Sequence, residues 1–96
     1  MLFRSEDVES ATAEGNYVAL SVNGRAHLVR ATMASFESRV DPGQFVRIHR
    51  SVMVNIDRIS RIEPLGHGQY RVTMRSGERF ESSRSYSARF RELFEQ

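Results

Sequence analysis

The sequence predicts one mostly β domain of seven or eight short strands with two small helices. Three observations carry that prediction. Turn signals recur at near-even spacing, the apolar residues between them alternate with period two, and two stretches switch to helical spacing. Ninety-six residues suffice for one modest core and not for two. With 40% hydrophobic and 27% charged residues the composition is that of an ordinary globular domain, neither disordered nor fibrous.

The elements follow in order. Glu6–Ala13 reads as a poor first strand, with only Val8, Ala11 and Ala13 to bury and nothing before it to pair with. Residues 1–96 therefore read as a single domain whose first strand is truncated and whose input domain is absent, the output end of a longer protein. Asn23-Gly24, between Tyr17–Val22 and Arg25–Val29, is the strongest short-range hairpin signal. Val18, Leu20 and Val22 are expected to share a face with Ala26 and Leu28. Thr32–Val40 sets Met33, Phe36 and Val40 at i, i+3 and i+7 behind Thr32 as N-cap, which predicts a short helix.

Asp41-Pro42-Gly43 is a turn. Gly66-His67-Gly68 divides Ile59–Leu65 from Gln69–Met74, where Tyr70, Val72 and Met74 alternate with polar neighbours. Ser76-Gly77 closes another hairpin onto Arg79–Ser82. Ser83–Glu95 puts Tyr86, Phe90, Leu93 and Phe94 on one stripe, the second helix.

The most informative stretch is Phe45–Asn55. Positions 46, 48, 52, 54 and 56 are apolar, the pattern of a half-buried strand pair. Arg50 falls on the apolar parity and interrupts it. An arginine is almost never fully buried without a partner, so the chain must bend there and turn Arg50 outward. The alternative is a buried brace to an acid such as Glu63 or Glu14.

Net charge is +2, and it is unevenly spread. Residues 1–44 carry four arginines against six acids, a net −2, and residues 45–96 carry ten against six, a net +4. No lysine is present. Codon usage in a GC-rich genome is the simpler explanation of that; even so, an arginine-only basic half can fork onto phosphates and guanine edges. The imbalance hints at a nucleic-acid partner.

Enzymatic readings do poorly. His27, His49 and His67 lie 22 and 18 residues apart, without metal-ligand spacing. No nucleophile elbow, phosphate loop or dinucleotide fingerprint is present, so no cofactor is expected. The absence of cysteine removes disulfides and thiolate chemistry and suits a reducing compartment. No run approaches the ~18 apolar residues of a membrane span, and Met1–Asp7 has no signal-peptide core. A cytoplasmic domain without membrane contact is the expectation.

Three clusters carry chemistry. His49, beside Arg50, is either a structural histidine bonded to a backbone carbonyl or a DNA phosphate contact, with ligand or pH sensing as further options. In Ser82-Ser83-Arg84-Ser85-Tyr86, Ser83 is suited to cap the final helix. Arg84 then sits in a first turn where a cation is mildly disfavoured, which suggests an anionic partner. Gly15-Asn16-Tyr17 is a turn entering a strand, and asparagine can pair bidentately with adenine.

Together these clusters resemble the LytTR family of bacterial DNA-binding domains. The family carries a phenylalanine, then an Arg-Ile-His-Arg-Ser run and a Val-Asn, as Phe45–Asn55 do. It also has a Gly-Asn-Tyr-Val near the front, like Gly15–Val18, and a Ser-Arg at the last helix, like Ser83-Arg84. Ser10 and Thr12 make the first strand more polar than is usual there. The resemblance implies elongated antiparallel β-sheets stacked end to end, whose junction loops enter successive major grooves of bent DNA. Asn16, Arg50 and Arg84 then fall at the base-reading positions. His49, Ser51, Asn55, Ser83, Ser85 and Tyr86 contact or support contacts to the DNA backbone. The implied partner is double-stranded DNA with paired direct repeats, bound as a homodimer by the effector domain of a two-component or membrane-linked regulator. The competing reading is a β-rich protein-interaction or dimerisation module, with an edge strand such as Arg25–Arg30 adding to a partner sheet.

Overall fold

The computed structural model describes residues 4–94, so the expected helix end at Glu95 and the leading Met1-Leu2-Phe3 lie outside the described residues. Those residues form two antiparallel sheets and two helices in an elongated body of 37 × 23 × 21 Å. The first sheet holds β1 (Val8–Glu14), β2 (Tyr17–Val22), β3 (Arg25–Arg30), β4 (Phe45–His49) and β5 (Val52–Asn55), in the order β3-β2-β1-β5-β4. The second holds β6 (Ile59–Gly66), β7 (Gln69–Met74) and β8 (Arg79–Glu81). Helix α1 (Met33–Arg39) links β3 to β4, and α2 (Ser87–Phe94) follows β8.

Local chemistry explains the turns. Asn23 and Gly24, with φ of 52° and 80°, and His67 and Gly68, with 55° and 78°, form the two left-handed pairs that match hairpin twist. Thr32 caps α1 by accepting the Ser35 amide at 3.0 Å, as its position predicts. Asp41 closes the turn before β4 by accepting the Gly43 amide at 2.8 Å.

Two cores flank β4 and β5. Phe45 and Met53 join Val8, Ala11, Leu20 and Phe36 beneath α1, while Val46, Ile48 and Val54 join Val72, Met74 and Phe90 beneath α2. The hairpin expected to be half-buried is therefore covered on both faces. Full burial of one such aliphatic or aromatic side chain is worth about 1.5–3 kcal/mol, so the two cores clamp this hairpin between them. A one-residue bulge between Arg47 and His49 on β4 precedes the Arg50-Ser51 turn.

Three further expectations need correction. The first strand, expected to be poor and unpaired, is the central strand of its sheet, paired with β2 and β5. Its polar residues are buried for a reason. Glu9 accepts from the Ser76 hydroxyl, and Ser10 donates to Glu78 at 3.2 Å, which latches β1 to the β7–β8 turn. Ala13, expected inside, is exposed.

Ala26 and Leu28 do not share the face of Val18, Leu20 and Val22. A two-residue turn pairs Val22 with Arg25 and Leu20 with His27, so odd positions of β3 lie over even positions of β2. Leu28 is consequently 60% exposed.

The final helix is also split. Arg84–Tyr86 is a single 3-10 turn, and α2 begins only at Ser87. Ser83 stands at the cap position with no side-chain capping bond.

Candidate nucleic-acid interface

Three segments meet along one rim of the molecule. The β1–β2 turn carries Asn16, the β4–β5 turn carries Arg50 and Ser51, and the segment entering α2 carries Ser83, Arg84 and Ser85. Backbone hydrogen bonds fix their adjacency. The Ala13 amide donates to the Ser51 carbonyl at 2.9 Å, joining the first turn to the second. The Ser83 amide donates to the Ile48 carbonyl at 2.8 Å, joining the second to the third. Residues far apart in sequence thus occupy consecutive positions along one edge.

Arg50 and Arg84 are exposed, and no described residue forms an ion pair with either. The alternative of a buried Arg50 brace fails. Glu63 faces Arg61 at 3.8 Å, and Glu14 lies exposed at the end of β1. Asn16 is also exposed in its turn. Such groups keep their full donor capacity for a partner in solution.

The supporting residues divide. His49 is half-buried, and its Nδ1 accepts the Ser51 amide at 3.0 Å, which pins the turn beneath Arg50. The histidine is bonded to the backbone, as acceptor of an amide rather than donor to a carbonyl. The Ser83 hydroxyl stands 3.4 Å from that of Ser85, and its carbonyl accepts from the Ser87 hydroxyl at 2.7 Å. Ser82 is buried, where its hydroxyl accepts the Tyr70 amide at 2.9 Å. Tyr86 is half-buried beneath a guanidinium.

Asn55 is not at the rim. It is 1% exposed, at the other end of β5, and its amide donates to the Val8 carbonyl at 2.9 Å and the Glu6 carbonyl at 3.4 Å. Its side-chain oxygen accepts the Asp57 amide at 3.0 Å. Every polar atom of that side chain is occupied inside the fold, so it ties strand ends together rather than facing a ligand.

Arg47 was not singled out by the sequence, because it reads there as one more polar position of an alternating strand. Its side chain is only 17% exposed. Nη1 donates to Glu37 of α1 at 3.1 Å, Nη2 donates to the Arg50 carbonyl at 2.6 Å, and the guanidinium lies 5.1 Å from the Tyr86 ring centroid. It entered the sequence reading only as the first arginine of the Arg-Ile-His-Arg-Ser run, with no role of its own.

Among the described residues no group of three or more His, Cys, Asp or Glu could hold a metal ion, and no helix is long and apolar enough to cross a membrane.

The chain matches the LytTr DNA-binding domain over residues 1–95. It is 28% identical over 86 residues to the sensory transduction protein LytR of Streptococcus agalactiae serotype V, covering 90% of this chain and 35% of that protein. To the sensory transduction protein LytT of Bacillus subtilis it is 27% identical over 89 residues, covering 93% of this chain and 37% of that one. The chain therefore spans roughly a third of the length of these curated relatives. Its structure is similar to that of a LytTr DNA-binding domain from Bacillus cereus, with a TM-score of 0.84 and 29% identity over 91% of this chain and 80% of that one. With the fold shared and the match running nearly end to end, this chain belongs to the LytTr DNA-binding domain family.

Proposed function

We propose that residues 1–96 act as one sequence-specific double-stranded DNA-binding domain, the effector of a bacterial transcriptional regulator that reads major grooves with loop side chains. Arg50 and Arg84 would fork onto guanine O6 and N7, and Asn16 onto adenine. Ser51, Ser83 and Ser85 would meet phosphate oxygens, while His49 and Tyr86 hold the turns that present them. The operator would be a pair of direct repeats occupied by two copies, and the setting the cytoplasm. No reaction is catalysed in this reading.

The single observation that supports it most is the shared rim. Two free guanidinium groups and an exposed amide come from turns joined by the Ala13–Ser51 and Ser83–Ile48 backbone bonds. The relatives bear the name of sensory transduction proteins, which supports an effector role. A protein-interaction module would favour a contiguous apolar patch. The large exposed apolar residues Tyr17 and Leu28 instead lie on the first sheet, with Leu65 on β6 and Phe94 on α2.

The decisive experiment is selection of bound sequences from random duplexes with the purified domain. A repeated consensus with a fixed half-site spacing is expected, and recovery of no consensus would reject sequence reading. Affinity for the consensus should fall steeply with salt, because each neutralised phosphate releases counterions, with a slope of about −0.9 per contact.

A further inference from the structure

Arg47 is nearly enclosed, and its bonds run to three separate segments. Nη1 meets Glu37 on α1, Nη2 meets the backbone carbonyl of Arg50, and the planar cation lies over Tyr86, two residues beyond Arg84. The 2.6 Å bond to the Arg50 carbonyl is short even for a charged donor. A buried cation loses hydration, so it persists where its partners hold it firmly, and those partners in turn become fixed. Lysine has no planar fork with which to satisfy a carboxylate and a carbonyl at once while stacking on a ring.

From this we propose that Arg47 is the positioning residue of the interface. It sets the β4–β5 turn that presents Arg50 against the segment that presents Arg84, without itself touching DNA, so that both guanidinium groups meet one duplex in register. The proposal rests on the DNA-reading function above and deepens it. Glu37 is then part of the interface's support although it carries the wrong charge for DNA.

The test compares wild type with Arg47→Met, Arg47→Lys and Glu37→Ala on two duplexes, the sequence selected by wild type and a scrambled one of equal length. Arg47→Met is expected to weaken binding to the selected duplex by about tenfold, the usual scale for losing a charged hydrogen bond. Scrambled binding and the salt slope should stay within about twofold of wild type. If Arg47 were a phosphate contact, both duplexes would weaken alike and the slope would drop by about 0.9, which would overturn the proposal. Arg47→Lys keeps the charge and is expected to lose selectivity as Met does; full selectivity in the lysine variant would also overturn it.

Glu37→Ala gives the opposite sign from simple electrostatics. Removal of an acid should tighten both duplexes, whereas the strut predicts a lower ratio of selected to scrambled binding. An unchanged or raised ratio defeats the strut, and this exposed position serves if Arg47→Met does not fold. Amide exchange without DNA gives an independent arm. The Ser51 and Ser83 amides should exchange about tenfold faster in Arg47→Met, and unchanged rates reject the positioning role even if wild type selects no DNA sequence at all.

Discussion

Strand β1 runs between two polar regions that are built on different rules. At its start, around Val8–Ser10, the polar groups are spent inside the molecule. Glu9 meets Ser76, Ser10 meets Glu78, and Asn55 fills its hydrogen bonds with Val8, Glu6 and Asp57. At its end, where the β1–β2 and β4–β5 turns meet the entry to α2, the backbone is equally well tied but Asn16, Arg50 and Arg84 are left exposed and without acid partners. The difference teaches which polar residues are architecture and which are available. Lack of an ion pair alone does not decide the matter, since exposed Arg25, Arg30, Arg39, Arg75 and Arg79 also have none to a described residue. What sets Asn16, Arg50 and Arg84 apart in the proposed reading is that their turns are joined by backbone hydrogen bonds.

The contrast is most sharply broken or confirmed at its two asparagines and two arginines. Asn55→Ala strips three partners inside the fold, so it should cost about 3 kcal/mol of stability in urea titration, because each buried group left unsatisfied costs about 1–3 kcal/mol. Its surviving folded fraction should retain full preference for the selected duplex. A stable Asn55→Ala protein that has lost only that preference would move Asn55 to the interface and erase the distinction.

Arg50→Ala and Arg84→Ala should show the reverse behaviour. Each is expected to lose about 1–3 kcal/mol of binding and to relax one base position, with the urea midpoint unchanged. Asn16→Ala should lose toward the lower end of that range. Anisotropy titrations on single-base variants of the selected duplex make the check. Wild-type binding by both arginine variants would remove the mechanism.

Much of this division was legible in the sequence, and the reasons are local. Asn23-Gly24 and Gly66-His67-Gly68 specify their hairpins through left-handed backbone preferences, and Thr32 begins α1 through one capping bond. The parity break at Arg50 located the exposed turn, because a strand cannot swallow an unpaired cation. What stayed hidden depends on contacts between distant segments. Glu9 and Ser10 look too polar for a central strand until the β7–β8 turn arrives to satisfy them. Phe45 and Met53 betray little of the second buried face of their hairpin until α1 packs on it. Arg47 resembles an ordinary outward strand residue, and only the approach of Glu37 and Tyr86 turns it inward. The face of Ala26 and Leu28 was a matter of counting, since a two-residue turn reverses parity across the hairpin.

A smaller effect tests the internal end alone. Ser10→Ala removes the donor to Glu78, with a loss of about 1 kcal/mol in urea titration and no change in DNA preference expected. A larger loss confined to DNA binding would mean that the latch at the start of β1 also controls the rim at its end.

The smallest expected effect, at His49, separates the two roles most finely. Its Nδ1 accepts the Ser51 amide two residues on, which is the bond an asparagine side chain makes in an Asx turn. Asparagine places its oxygen where Nδ1 stands, whereas glutamine places its amide nitrogen where Nε2 stands. If His49 serves the turn, His49→Asn should bind the selected duplex like wild type, and His49→Ala should lose about 1 kcal/mol, the value of a neutral hydrogen bond. If His49 instead reaches a phosphate through Nε2, glutamine would preserve binding, asparagine would fail with alanine, and the salt slope would fall in both failing variants. Those outcomes differ in which variant survives as well as in size, so they can be told apart even when each free-energy change is close to the error of the titration.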